Sequence, residues 1–231
     1  MMSDGVLQGV SDSRRFEAVL FDLDGTVIDT YNMILASFRK ATKQVLGFTP
    51  PEDLMMDMVG IPLTEQMARI SPEHADELVN VYRENNLRIH DEMVRAFPGT
   101  DAALASLSRE GLRLAIVTSK RNSLAERGLK VFGFERYFEL LIGADDTDVH
   151  KPNPAPLLLA ADRLGIAATR CVYVGDSPYD MQAAVAAQMP AVAALWGMFT
   201  RQRLLDAGAE YLAPSMAELP AVLSVVGVVL T

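Results

Sequence analysis

Short apolar runs alternate with longer amphipathic segments from Pro98 to Ala213, and this alternation limits the possible folds more than any other feature of the chain. Short apolar runs bounded by turn residues predict buried strands, whereas apolar residues spaced three and four apart predict helices. Strands that alternate with helices are joined by right-handed crossovers into a parallel sheet that is covered on both faces. The sequence therefore predicts an α/β protein with a doubly wound parallel sheet.

The element boundaries follow from the glycine and proline residues that separate these runs. We expect the strands of the sheet at 17–22, 113–118, 138–143, 171–175, 191–195 and 210–213. We expect the connecting helices at 99–110, 121–132, 154–164, 178–188 and 200–207, with a terminal helix from about 216.

The stretch between the first strand and Pro98 has helical spacing and shows no strand pattern from 31 to 95. We expect its helices at 31–46, 51–58, 62–70 and 72–93. An all-helical stretch directly after a first core strand predicts a small helical cap domain inserted into the α/β domain.

The predicted cap covers 31–95, and the predicted catalytic core covers 16–30 and 96–231. The chain would cross between the two near 28–32 and 94–98. Residues 1–15 lack periodicity and are expected to be a disordered lead.

Composition narrows the classes of partner. Half of the 231 residues are hydrophobic, so a sizeable core is available, and the formal net charge is −9. An acidic chain disfavours nucleic acid and anionic membranes, and an anionic substrate would need local positive charge. The chain shows no secretory signal and no apolar run near the roughly 20 residues of a membrane span. We expect a cytoplasmic protein, a monomer or weak dimer.

Cysteine and histidine give no sign of a metal or redox site. The single cysteine, Cys171, lies in an apolar run and is predicted to be a core residue, and one cysteine cannot form a disulfide within the chain. His74, His90 and His150 lack the spacing of a zinc site, and surface or capping roles are expected for them.

Two carboxylates, Asp22 and Asp24, end the first strand in the motif Asp-Leu-Asp-Gly-Thr. Like charges this close raise each other's pKa unless a cation or hydrogen bonds offset the repulsion. Alone, the motif could be an ordinary Asp-Gly turn. Its place at the end of a buried strand favours a bound metal together with a catalytic acid.

Other polar residues follow the later strands, and ligands of such sheets bind at the carboxyl ends of the strands. Thr118 to Arg121 follow the second strand, Lys151 lies in the loop after the third, and Asp176 and Asp180 follow the fourth. Thr118 alone could be a helix cap and Lys151 alone a solvated charge. Together they predict a crevice in which acids hold magnesium and a hydroxyl and an ammonium bind phosphate.

These four motifs, in order from 16 to about 215, resemble those of the haloacid dehalogenase superfamily, in the phosphatase group with a helical cap. The resemblance implies a magnesium-dependent phosphatase that acts on a small phosphorylated metabolite. It implies that Asp22 is the nucleophile, that Asp24 is the general acid and base, and that the carbonyl of Asp24 is a magnesium ligand. Carboxylate nucleophiles form aspartyl phosphates, and a raised pKa would suit Asp24 to its role.

The remaining motif positions receive roles from the same resemblance. Thr118 and Lys151 would bind the phosphoryl group, and Asp176 would bind the metal. Asp180 would support the metal directly or through water. The acid at Asp24 favours phosphoryl transfer over dehalogenation.

Substrate contacts are expected from both domains: Thr118, Ser119, Lys120 and Arg121 in the core, and Gly60 and Leu63 in the cap. This pattern is similar to phosphoglycolate phosphatases and inorganic pyrophosphatases of the group, and a sugar phosphate or phosphorylated secondary metabolite fits equally well. A phosphoglucomutase-like reading is weakened because the loop 59–63 has no arginine. Met55, Met56, Met58 and Met67 are expected in the cap core.

Two non-enzyme alternatives remain: a catalytically inactive binding protein, which the five intact catalytic positions oppose, and a phospho-accepting signalling module. A phospho-accepting signalling module also uses an aspartate in a doubly wound sheet, although its acceptor lies on the third strand and it has no helical insertion. Turnover of p-nitrophenyl phosphate with and without magnesium separates the two classes.

Overall fold

The computed structural model describes residues 16–226. The strands are β1 Ala18–Phe21, β2 Ile28–Asp29, β3 Arg95–Ala96, β4 Arg113–Val117, β5 Leu140–Ile142, β6 Cys171–Gly175, β7 Ala191–Ala194 and β8 Tyr211–Ala213. The helices are α1 Tyr31–Leu46, α2 Glu52–Met56, α3 Leu63–Ile70, α4 Ala75–Met93, α5 Thr100–Arg109, α6 Asn122–Phe132, α7 Ala155–Leu164, α8 Pro178–Ala186, α9 Arg201–Asp206 and α10 Leu219–Val226. The predicted lead 1–15 and the end of the predicted core, 227–231, lie outside the described residues.

The main sheet has six parallel strands in the order β5-β4-β1-β6-β7-β8, so β1 lies between β4 and β6. Val19 and Phe21 belong to the hydrophobic core on one face of the sheet, and Ala18 and Leu20 belong to the core on the other. All four side chains are fully buried, because helices cover both faces. The predicted doubly wound α/β fold is confirmed.

Helices α1 to α4 form a separate hydrophobic cluster, as expected of an inserted cap. The rings of Phe38 and Tyr82 meet edge to face at 5.3 Å. The four methionines expected in the cap core are buried in this cluster, which confirms that prediction. We propose 31–95 as the extent of the cap.

The sequence did not reveal the short ladder between the two domains. Strands β2 and β3 pair antiparallel, with Ile28 opposite Ala96 and Asp29 opposite Arg95. The expectation of no strand up to 95 is therefore wrong for Arg95. A strand of two residues is too short for the alternation of apolar and polar residues from which strands are predicted.

Ion pairs join cap and core on two sides. On one side the core residue Arg203 pairs with Asp57 of the cap, and the hydroxyl of Tyr179 donates to the Asp57 carbonyl at 3.4 Å. On the other side Arg127 of α6 donates to Asp91 of α4, with both Nε and one Nη atom 2.9 Å from carboxylate oxygens. These contacts hold the cap over the ends of β1, β4 and β6.

Cys171 is buried, as predicted, and burial raises the pKa of its thiol to about 11.

The surface or capping role expected for His90 is wrong, because its side chain is fully buried near the junction of cap and core. His90 Nδ1 lies 2.7 Å from Asp91 Oδ1, whereas Nε2 has no hydrogen-bond partner among the described residues. A Cβ atom at Gly128 of α6 would lie 3.7 Å from Nε2, so the ring packs where α4 meets α6.

Among residues 16–226, none of the helices is long and apolar enough to span a bilayer.

Candidate active site

The carboxyl ends of the adjacent strands β4, β1 and β6 bring the motif residues together. Asp22 follows β1, Thr118 follows β4 and Asp176 follows β6. All three side chains are buried, although polar residues are uncommon in a core. Parallel strands place their carboxyl ends at one edge, so residues up to 154 positions apart in sequence meet there.

Lys151 lies at the centre of this cluster and is 2% exposed. Its Nζ donates to Asp180 Oδ1 at 2.6 Å, to Asp22 Oδ1 at 2.8 Å and to the Tyr173 hydroxyl at 3.0 Å. Burial by itself would lower the pKa of Lys151, but the charges of Asp180 and Asp22 outweigh burial and raise it. The side chain is therefore a buried ammonium with fixed partners, and the alternative of a solvated loop charge is wrong.

Three acids, Asp22, Asp176 and Asp180, place carboxylate oxygens within 4.8 Å of one another. Burial raises the pKa of Asp22 to about 7 against the lowering effect of Lys151. Burial also raises the pKa of Asp176 well above its usual value, and the charges of Asp180 and Asp22 add to this. One ammonium cannot balance three buried carboxylates, so the cluster favours a further cation. A set of carboxylate oxygens fits magnesium, which prefers hard oxygen ligands.

Asp176 is held on both sides by groups that leave it no freedom to turn. Thr26 Oγ1 donates to Oδ1 at 3.0 Å, and the Met198 amide donates to Oδ2 at 2.7 Å. A Cβ atom at Gly25 would lie 2.3 Å from Oδ2, and one at Gly197 would lie 2.2 Å from the Asp176 Cβ. The backbone can pass this close only where there is no side chain, which explains the glycine after Asp24.

Asp180 belongs to the first turn of α8 and forms a capping box with Ser177. The Ser177 amide and hydroxyl donate to Oδ2 at 2.9 and 2.6 Å, while Oδ1 accepts from Lys151. Both oxygens of Asp180 thus have protein donors, and the helix start fixes the acid that orients Lys151.

The side chain of Asp24 lies apart from the three-acid cluster. Its Oδ1 accepts a hydrogen bond from Lys120 Nζ at 2.7 Å, and both side chains are mostly shielded from solvent. The Lys120 amide also donates to Thr118 Oγ1 at 3.2 Å. Lys120, expected as a substrate contact, is here the partner of Asp24. The predicted metal role of Asp24 concerns its backbone carbonyl, and the position of its side chain does not test that role.

A cavity of about 270 Å³ lies between the cap and this edge of the sheet. Its lining includes the predicted residues Asp22, Asp24, Gly60, Leu63, Thr118, Ser119, Lys120 and Arg121. The other predicted site residues, Lys151, Asp176 and Asp180, lie in the buried cluster that Asp22 joins to the cavity. The structure thus brings all the predicted site residues to one place.

The loop 59–63 of the cap reaches down to the core. Ser119 Oγ donates to the Gly60 carbonyl at 2.8 Å. Gly60 has a φ of +114°, and a Cβ atom there would lie 2.9 Å from both Ser177 Oγ and a ring carbon of Tyr179. Both the backbone conformation and the close approach require glycine.

Sequence reasoning missed several residues of the site. Tyr173 lies in the apolar run of the predicted strand 171–175, which gives no sign of a site role, yet its hydroxyl donates to the Val117 carbonyl at 2.9 Å and contacts Lys151. Arg83 and Asn86 of α4 line the cavity beside Tyr82. Their spacing puts them on the face of α4 that carries inward residues, and this was the available signal.

Comparisons with known proteins agree with this geometry. The family model described as haloacid dehalogenase-like hydrolase matches residues 19–194. The chain is 36% identical to a pyrophosphatase, PpaX, of Halalkalibacterium halodurans, over 71% of this chain and 76% of the relative. It is 32% identical to the PpaX pyrophosphatase of Bacillus velezensis, over 89% of this chain and 95% of the relative.

Solved structures give the same result. A haloacid dehalogenase-like family protein from Streptococcus pneumoniae superposes with a TM-score of 0.80 at 26% identity, covering 90% of this chain and 98% of that one. The family match covers well over half of the chain, and the resemblance drawn from the four motifs is confirmed. The chain therefore belongs to the haloacid dehalogenase-like hydrolases, among the phosphatases of that superfamily.

Proposed function

We propose that this protein is a magnesium-dependent phosphatase that hydrolyses a small phosphorylated metabolite through an aspartyl phosphate on Asp22. The observation that carries this proposal is the position of Asp22, which lines the cavity and is held from below by the buried ammonium of Lys151. A carboxylate that is fixed beside an ammonium and open to a cavity suits nucleophilic attack on phosphorus.

Asp22 uses one oxygen for positioning and one for attack. Oδ1 accepts from Lys151, and we assign the attack to Oδ2. A bond forms between Oδ2 and phosphorus while the bond from phosphorus to the leaving oxygen breaks. Thr118, which lines the same cavity, binds an oxygen of the transferring group, and Lys151 offsets its charge.

Asp24 transfers the protons of both steps. It gives a proton to the leaving oxygen in the first step and takes one from the attacking water in the second, which releases phosphate and restores Asp22. Its Oδ1 accepts from Lys120 Nζ at 2.7 Å, so Lys120 holds the side chain of Asp24 in place beside the cavity. For the first step, we expect Lys120 to turn from Asp24 toward the substrate, which leaves Asp24 free to reach the leaving oxygen.

Asp22, Asp176 and the Asp24 carbonyl would hold magnesium, with Asp180 contributing through water because its oxygens already accept from Lys151 and Ser177. When bound, the metal would neutralise charge on the phosphoryl group and align it with Asp22.

The leaving group can be an alcohol or a second phosphate. The relatives named above are pyrophosphatases, so pyrophosphate is the second candidate substrate. The same residues would serve both reactions, since only the leaving oxygen differs.

The test is turnover of p-nitrophenyl phosphate, pyrophosphate and a panel of phosphorylated metabolites, ranked by kcat/KM. Chelator should abolish activity and magnesium should restore it. Calcium should restore little, because its larger coordination number can bring a second oxygen of Asp22 onto the metal. Full activity in chelator would contradict the proposal.

A matched pair of variants makes this test specific. Asp176→Asn should raise the magnesium concentration needed for half-maximal activity by at least about 10-fold, as expected for loss of a charged ligand. Asp206→Asn, at the end of α9, removes the same charge from an exposed residue and should leave the magnesium requirement unchanged.

A further inference from the structure

The cavity that contains Asp22 and Asp24 is also lined by two arginines, Arg83 and Arg121. Arg83 belongs to α4 in the cap, whereas Arg121 directly precedes α6 in the core. Burial lowers the pKa of Arg83, and the nearby charge of Arg121 lowers it further. The two guanidinium groups therefore repel each other, while the charge of Asp145, which lines the same cavity, opposes this effect on Arg83.

Among the described residues, the two arginines share one weakly held acid, Asp145. Within residues 16–226, Arg83 has no ion pair and donates no side-chain hydrogen bond. Arg121 Nε lies 3.9 Å from Asp145 Oδ1, too far for a hydrogen bond, and both side chains are about half exposed. Lys120, in the same cavity, is by contrast bound to Asp24 at 2.7 Å.

Two arginines that share a single carboxylate leave an excess of positive charge in this part of the cavity, in a chain whose net charge is −9, and this excess favours an anionic ligand. Repulsion between like charges destabilises the empty arrangement, and an anion between them removes that penalty. The guanidinium group presents two parallel donors that match a carboxylate or a phosphate. These donors are additional to the side chains assigned above to the transferring phosphoryl group.

We propose that the leaving group of the substrate carries a second anionic group, a carboxylate or a phosphate, which Arg83 and Arg121 bind. This inference rests on the proposed phosphatase function and narrows its substrate class to compounds with an anion at each end. Neutral sugar monophosphates would then be poor substrates. Because Arg83 lies in the cap and Arg121 in the core, a second anion bound by both would also join the two parts over the substrate.

The experiment compares kcat/KM within two pairs of substrates that differ in one anionic group. Phosphoglycolate is compared with ethyl phosphate for the carboxylate, and pyrophosphate with methyl phosphate for the phosphate. The wild-type protein should prefer the doubly anionic member of at least one pair by roughly 10-fold or more. The arginines bind the anion of the pair whose preference falls more in Arg83→Gln, because comparing the variant with the wild type cancels the greater intrinsic reactivity of the pyrophosphate anhydride.

Arg83→Gln should reduce kcat/KM for that doubly anionic substrate by roughly 10- to 100-fold, the loss expected of a charge-assisted contact. Ethyl phosphate, methyl phosphate and p-nitrophenyl phosphate should change less than about 3-fold, because they have no second anion to lose. Arg121→Gln should act in the same direction, and Arg83→Lys should restore part of the preference.

The matched control is Arg88→Gln, which removes an arginine from an exposed position of the same helix, where Arg88 bonds to Asn85. It should leave all substrates unchanged. An equal loss for every substrate in Arg83→Gln, or no preference for doubly anionic substrates in the wild type, would overturn the inference and leave the phosphatase proposal intact. Absence of any magnesium-dependent turnover of p-nitrophenyl phosphate or the other phosphates would instead overturn both.

Discussion

The floor and the roof of the cavity are built on different principles. In the floor, Lys151, Asp22, Asp176 and Asp180 are at least 95% buried and each is bonded to residues from other parts of the chain. The roof, from the loop 59–63 and the inner face of α4, is mostly apolar and includes one arginine without an ion pair among the described residues. Substitutions in the floor are therefore poorly tolerated, because each buried charge depends on another. Substitutions in the roof are tolerated better, because they leave no buried charge without its partner.

This contrast assigns the chemistry to the floor and the choice of substrate to the roof. Residues held by strands and packed helices keep a fixed geometry, which a reaction at phosphorus requires. Cap residues that contact substrate through apolar side chains can vary with the substrate. Three changes test the contrast, each at a different place in the molecule.

The largest effect is expected for Asp22→Asn in the floor. The substitution preserves shape but removes the charge that attacks phosphorus, so turnover should fall to background, on the order of 10⁴-fold or more. The amide can still accept a hydrogen bond from Lys151, so the fold should survive, as a thermal unfolding curve would show.

The control for this variant is Asp29→Asn, at the end of β2, where the carboxylate accepts from the Tyr31 amide. It should keep near-normal activity. Beryllium fluoride should inhibit the wild type by mimicking the aspartyl phosphate. Near-normal turnover by Asp22→Asn would contradict the assignment of the chemistry to the floor.

An intermediate effect is expected for Leu63→Arg in the roof. Leu63 begins α3 and lines the cavity, so an added charge should change kcat/KM by roughly 10-fold for some organic phosphates and little for others. The magnesium requirement should stay the same. Leu54→Arg, at an exposed position of the cap, is the control and should change none of these values. If all substrates fall by one common factor, the loop does not select the leaving group, and selection rests with residues such as Lys120 and Arg121.

The smallest effect is expected at the junction between the two regions, where His90 is buried. Burial lowers the pKa of His90, and the charges of Lys120 and Arg127 lower it further, while its bond to Asp91 opposes this. In the unfolded chain His90 therefore binds a proton near pH 6.5, whereas in the folded chain it stays neutral to lower pH. The free energy of unfolding therefore decreases as the pH falls below about 6.5. Asp91, whose pKa the hydrogen bonds of Arg127 and His90 lower to about 2, stays ionised over this range.

The measurement is the free energy of unfolding between pH 7 and pH 5. His90→Gln should weaken its dependence on pH, by at most about 1.4 kcal/mol per pH unit. His74→Gln removes an exposed histidine and should keep the wild-type slope. An unchanged slope in His90→Gln would show that other groups cause the dependence.

The sequence predicted the floor better than the roof, for a physical reason. Polar residues such as Asp22 and Asp176 stand out at the ends of apolar strands, and the parallel sheet dictates that these ends meet. The signal for Arg83 is weaker, since it lies on the face of α4 that carries inward residues but a charged residue on an amphipathic helix is usually solvated. Tyr173 lies in an apolar run and gives no sign of its polar contacts. The burial of His90 depends on how α4 packs against Gly128, and the periodicity of the sequence does not predict that packing.

The two-residue ladder between β2 and β3 makes the cap exchangeable in a redesigned protein. Ile28 lies opposite Ala96, so the chain leaves the core and returns to it at neighbouring positions. A segment whose ends already lie side by side can be lengthened, shortened or replaced at little cost in chain entropy, because closure cost grows only slowly with loop length. The strands of the main sheet lie outside this segment, so the exchange would leave their pairing unchanged. We expect a helical cap taken from another phosphatase, joined at these two strands, to give a folded chimera with the same catalytic floor and a new range of substrates.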